Sequence, residues 1–177
     1  SSQKRNHSMP AGGPRGHSTF AGMHAPAPDP ERIFSDAIDL IADDRNAEAE
    51  ELLNAFIAAL KTSMNGADAD AGRYYWWGRA LALQEEWEQA LLRFEDALRT
   101  DPGHEGALWE TVQILMDALD KPESAKTLLT ERLLKLAPEH PDYLEALASA
   151  ETLIRRREGR TVQPWSPEGE EQESNEQ

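Results

Sequence analysis

The chain has 177 residues, no cysteine, and 33 acidic against 18 basic side chains, for a formal charge of −15. These figures exclude a disulfide scaffold, a thiolate metal site and a thiol nucleophile, and they oppose a broad nucleic-acid surface, which needs positive potential. No apolar run reaches the ~18 residues of a membrane-spanning helix, and the length suits one domain.

Residues 1–29 carry Pro10, Gly12, Gly13, Pro14, Gly16, Pro26 and Pro28, with three of the five histidines and a charge of +2. Apolar residues there lack both period and bulk, so this stretch is expected to be a flexible leader. Its character is that of a tether. Either a signal sequence, lipid anchor or membrane helix precedes Ser1 and places the protein at a cell envelope, or the leader is a tag remnant ending near Met9. At the far end, 161–177 hold Pro164, Pro167 and five glutamates and no base, and are expected to be a flexible acidic tail. Residues 30–160 between them retain a charge of −12.

This central stretch reads as helix almost throughout. Asp29-Pro30-Glu31 is a start signal: Asp caps, Pro has no N–H to lose, and Glu favours the positive helix end. Ile33, Ala37, Leu40 and Ile41 then keep helical spacing, and after Asp43-Asp44-Arg45-Asn46 the stripe resumes with Ala49, Leu52, Leu53, Phe56, Ile57 and Leu60. A loop follows from Asn65-Gly66 to Asp70. Two further pairs are predicted at about 71–84 with 87–100, and 105–119 with 122–136. Pro138 and Pro141 open a seventh helix running to about Glu158. With few β-branched residues and no alternating run, the chain is expected to be all-α.

An internal repeat underlies these pairs. Across 71–104, Tyr74, Trp77, Gly78 and Leu81 mark a first helix. Trp87, Ala90, Phe94 and Ala97 mark a second, and Pro102 closes the unit. This pattern resembles the tetratricopeptide repeat, in which small residues such as Gly78, Ala90 and Ala97 let paired helices approach closely. Ile33, Ala37, Leu40, Ala49, Leu53 and Phe56 match it with a linker about seven residues too long. Leu108, Val112, Leu115, Ala125, Leu129 and Pro138 match with about two extra residues. The resemblance implies a right-handed helical-repeat solenoid of about three such pairs, with the seventh helix as a cap through Leu144, Leu147 and Ala148.

Catalytic and cofactor motifs are wanting. Gly12–Ser18 looks like a phosphate loop only superficially, since it lacks the Lys-Ser/Thr ending, contains proline and follows no strand. His104 and His140 fall in equivalent inter-repeat turns and read as turn or capping residues. No cofactor and no metal site is expected, and no enzyme activity. Arg155, Arg156, Arg157 and Arg160 suit the negative end of the last helix.

The resemblance also implies a concave groove lined by one face of each first helix. In this register it offers Phe34, Ile38 and Ile41, then Tyr75, Arg79 and Ala82, then Trp109, Gln113 and Met116. Tyr74 and Trp77 are assigned to the core. The Lys and Asn with which some relatives clamp a chaperone C-terminus are replaced by Tyr75 and Arg79, although Arg79 could still fork a carboxylate. The expected function is therefore an adaptor that binds a protein or peptide in this groove, the alternative being a self-associating scaffold subunit. Trp165, alone in the polar tail, is a candidate to dock back on the groove.

Overall fold

The computed structural model describes residues 29–64 and 70–161; the leader, Trp165 with the rest of the tail, and 65–69 lie outside the described residues. Seven helices and no strand make up the described residues. They are α1 (Pro30–Ala42), α2 (Asn46–Ser63), α3 (Ala71–Leu83) and α4 (Trp87–Thr100). Next, α5 runs over Glu105–Gln113 and continues through a π-wound turn, Ile114–Ala118. Then α6 combines Pro122–Leu128, a second π-wound turn at Leu129–Leu133 and a last turn Leu134–Leu136, and α7 spans Pro141–Thr161.

Local chemistry fixes the ends of these helices. The Asp29 carboxylate accepts from the Glu31 N–H at 3.1 Å, with Pro30 in the first turn of α1. Asp70 accepts from the Arg73 N–H at 2.7 Å to cap α3, and His104 Nδ1 accepts from the Ala107 N–H at 3.1 Å to cap α5. Each first helix ends in the same way. Asp44, Glu85 and Asp120 take left-handed φ values of 60°, 60° and 52°, so that the chain turns back within three residues. The Arg45 N–H reaches the Leu40 carbonyl at 2.8 Å and the Glu86 N–H reaches Leu81 at 3.0 Å, closing the helix-terminal motif that usually employs glycine. A side chain at left-handed φ costs energy that glycine avoids. Glu85→Gly is accordingly expected to stabilise the fold by about 0.5–1 kcal/mol, read as a higher urea midpoint with an unchanged slope.

The irregular repeat lengths have a structural explanation. In the second unit α3 and α4 hold 13 and 14 residues. In the third, α5 and α6 each hold one residue more, and each contains one π-wound turn. A π turn closes its ring over five residues instead of four, so it absorbs one insertion without moving the helix ends. The Leu119 N–H accordingly donates to the Ile114 carbonyl at 3.0 Å. In the first unit, α2 has 18 residues, so four of the seven surplus residues lengthen that helix and the rest lie in the connection to α3.

The core is built unit by unit. One buried cluster joins Phe34 and Ala37 of α1 to Leu53, Phe56 and Ile57 of α2, and ends on Ala80 of α3. A second joins Ala90, Phe94 and Ala97 of α4 to Ala71 of α3 and to Ala107 and Ile114 of α5. A third joins Leu108, Val112 and Leu115 to Ala125, Leu129 and Leu133, and ends on Tyr143 of α7. Each pair is thus sealed by the first helix of the next, the nearest-neighbour logic of helical repeats. Gly78 is the closest approach within a pair: a Cβ there would lie 2.6 Å from a ring carbon of Phe94, which is fully buried.

Of the residues expected on the inner face of the last helix, Leu147 packs against the third cluster, but Leu144 is 46% exposed and Ala148 is exposed. Tyr143 and Ala150 are buried instead. Tyr143 decides this register. It stacks on His140 with 3.9 Å between ring centroids, meets Trp109 at 5.0 Å, and its hydroxyl donates to Glu105. Burial, and then the carboxylate beside it, hold the Tyr143 hydroxyl above its ordinary pKa, so it remains a donor.

Candidate functional groove

The first helices α1, α3 and α5 bring a set of aromatic and polar side chains together around Arg79. Its guanidinium carbon lies 5.0 Å from the Phe34 ring centre, 5.1 Å from Trp76 and 5.7 Å from Tyr75. Its Nε reaches Glu110 of α5 at 3.3 Å. A planar, weakly hydrated cation can lie over ring faces and still pair with a carboxylate, which an ammonium does less well. Arg79 therefore ties three successive units together, and its carboxylate-binding capacity is already engaged from within the chain.

Burial raises the Glu110 pKa above the ordinary carboxylate value, with the Arg79 charge opposing that shift. A carboxyl that is harder to ionise folded than unfolded stabilises the fold when protonated, and this contribution is lost as pH rises through its folded pKa. Wild-type stability should accordingly fall relative to Glu110→Gln as pH rises from the acid range toward neutrality. Denaturant titrations of both proteins across that range check this, and parallel curves would refute it.

Phe34 is buried, 4% exposed, with its ring 5.1 Å from Trp76 and 6.0 Å from Phe56. Ile38, one turn on, is 49% exposed. Tyr75 is half-buried: its ring lies 4.9 Å from His104 and 6.1 Å from Phe94. It also rests on the backbone of Gly106, where a Cβ would come within 3.1 Å of the ring. Burial raises its hydroxyl pKa. Tyr74 and Trp77, assigned to the core, are both half-buried; Trp77 sits between Lys61 at 5.0 Å and Arg93 at 4.6 Å.

Trp109, Gln113 and Met116 share one cleft of about 410 Å³, closed on the other side by Asp142, Glu145, Ala146 and Ser149 of α7. Gln113 is exposed, while Trp109 and Met116 are half-buried and pack on the third core cluster. The structure thus gathers Phe34, Tyr75 and Arg79 in one cluster and Trp109, Gln113 and Met116 in the α5–α7 cleft, while Ile38 stands exposed on α1. Trp76, Glu110 and the α7 residues were not among the expected set. Continuing the 34-residue Tyr75-to-Trp109 spacing by one more unit, with the two surplus residues of the third unit added, falls on Glu145, a signal present in the sequence. Glu110 offers no such signal, because its partner is fixed by how two helices lie. Among the described residues, no three His, Asp or Glu side chains are placed to hold one metal ion, and no helix is long and apolar enough to cross a membrane.

Fold and groove together define an all-α helical-repeat protein of tetratricopeptide-like architecture. Among solved structures it is similar to that of a MamA RS-1 ArsTM double mutant, with a TM-score of 0.50 and 19% identity over 73% of this chain and 67% of that one. At this identity the likeness establishes the fold alone. Neither a protein-family model nor a curated protein sequence matches the chain.

Proposed function

We propose that this chain is a tetratricopeptide-repeat protein and a non-enzymatic adaptor, binding a segment of a partner protein along the groove of its first helices. The supporting observation is the α5–α7 cleft, which presents an aromatic side chain, a thioether and a primary amide side by side on rigid helices. Trp supplies a large anchor surface with little entropy to lose, Met adapts its shape, and Gln pairs with a peptide backbone. Tyr75, Arg79 and Ile38 extend the same face toward α1, and Phe34 supports it from beneath.

A photo-crosslinking residue at Gln113, compared with one at the exposed Leu92 of α4, tests this reading. A discrete adduct formed from Gln113 and not from Leu92, with the same partner identified by mass spectrometry each time, is the expected outcome. Equal adducts from both positions, or none from Gln113, would refute it. A self-associating scaffold is a second reading, supported by exposed Leu136 and Leu144, which flank the turn at 137–140. Concentration-dependent mass by light scattering separates the two.

A further inference from the structure

The α5–α7 cleft has an apolar floor and an unbalanced rim. Trp109 and Met116 form part of the floor, while Asp117 of α5 and Asp142 and Glu145 of α7 line the edges, all three carboxylates being exposed. No Lys or Arg lines the cleft. None of these three acids makes an ion pair among the described residues. Several other acids do have partners: Asp96 pairs with Arg93 and Arg99, Glu123 with Arg157, and Glu151, further along α7, with Lys126. The cleft carboxylates also do not converge on a point that could hold one metal ion. They are spaced charges around an apolar seat, inside a domain whose own charge is −12.

Resting on the groove reading above, we infer that the cleft receives a cationic segment of a partner protein, with Lys or Arg side chains flanking one apolar anchor. The anchor covers Trp109 and Met116, and the flanking cations meet Asp117 on one wall and Asp142 and Glu145 on the other. Opposite charges at a rim speed and orient encounter, whereas the apolar seat supplies residence, so both parts of the segment are needed. An acidic segment is repelled by the same rim, which gives the cleft selectivity through exclusion as well as attraction.

The test uses the full chain and short fluorescein-labelled peptides, followed by anisotropy. One peptide carries lysines around a single Leu, one replaces the lysines with glutamates, and one replaces the Leu with Ser. The Lys–Leu peptide is expected to bind most tightly and to weaken with added salt. Asp117→Asn/Asp142→Asn/Glu145→Gln should cost it roughly tenfold in affinity. The same charge removed elsewhere, by Asp36→Asn/Asp39→Asn/Glu51→Gln on exposed positions of α1 and α2, should leave that affinity unchanged. Equal losses in the two triple variants would reduce the effect to net charge and overturn the inference. So would equal binding of the Lys and Glu peptides, or no loss on removing the Leu. If replacing Lys4, Arg5 and Arg15 by Ser in the full chain tightens the peptide complex, the chain's own leader is the occupant and the partner assignment falls. Failure of the groove itself is read separately, because it abolishes the Gln113 adduct whatever the charge of the rim.

Discussion

Phe94→Ala is expected to lower stability by about 3–5 kcal/mol, the cost of a large ring removed from a site that cannot collapse. Phe94 is 0% exposed and lies in the cluster that joins α4 to α3 and α5, so the cavity would open beneath two interfaces at once. Gly78→Leu should destabilise for the opposite reason. Its Cβ alone would stand 2.6 and 2.8 Å from Phe94 ring carbons, and the ring is fully buried among α3, α4 and α5. Overpacking of this kind costs about 1–3 kcal/mol, more than the ~1 kcal/mol that replacing a helical glycine returns. The pair is also expected to rescue itself. In the Phe94→Ala background the side chain introduced by Gly78→Leu would enter the vacated space, so the double variant should be more stable than Phe94→Ala alone. Coupling of roughly 0.5–3 kcal/mol between the sites, measured by denaturant titration of all four proteins, is the expected result. Additive effects would mean that the glycine and the ring are not the contact that closes this pair.

Arg79→Ala is the second large effect. It removes the cation from over three rings and leaves Glu110, with its side chain only 22% exposed, without its partner. Loss of a charge-assisted contact at a partly shielded site costs about 1.5–3 kcal/mol. Adding Glu110→Gln to Arg79→Ala should return part of this, because the uncompensated carboxylate is then gone. Arg79→Met, which retains an unbranched stem but no charge, should fall between wild type and Arg79→Ala. The same residue lies on the proposed binding face, and thermal melts separate its two roles. If Arg79→Ala melts like wild type, the guanidinium does not join α1, α3 and α5, and its contacts with the rings are incidental. If it melts lower and the Glu110→Gln addition recovers nothing, the rings carry the contact and the ion pair does not.

The sequence by itself determined the helices and their pairing. Caps, prolines and apolar spacing are local signals, and they located six helices in three pairs and a seventh after Pro141, with ends within a residue or two along most of the chain. Gly78, Ala90, Phe94 and Ala97 were legible as the contact within a pair because a close helix approach demands small residues opposite one large ring. The two surplus residues of the third unit were countable, but their place was not. Only the folded backbone shows one in α5 and one in α6, each taken up by a π turn.

The tertiary structure decided what each shared face touches. In Tyr74–Trp77, four bulky residues in succession cannot all point to one neighbour, and the repeat pattern divided them between core and groove. In the fold α3 has neighbours on several sides, so Trp76 turns to Phe34, Tyr75 to His104 and Gly106, and Trp77 to Lys61 and Arg93. The last helix shows the same limit. Its period allows more than one buried stripe, and the one adopted follows Tyr143, whose partners Glu105, Trp109 and His140 are brought to it by the preceding pair. The rim of the cleft is likewise a tertiary product. Asp117 and Glu145 are 28 residues apart in the chain and line one space because α5 and α7 are neighbours along the stack. Local pattern fixes which residues a helix can bury; the neighbouring helices fix which of them it does.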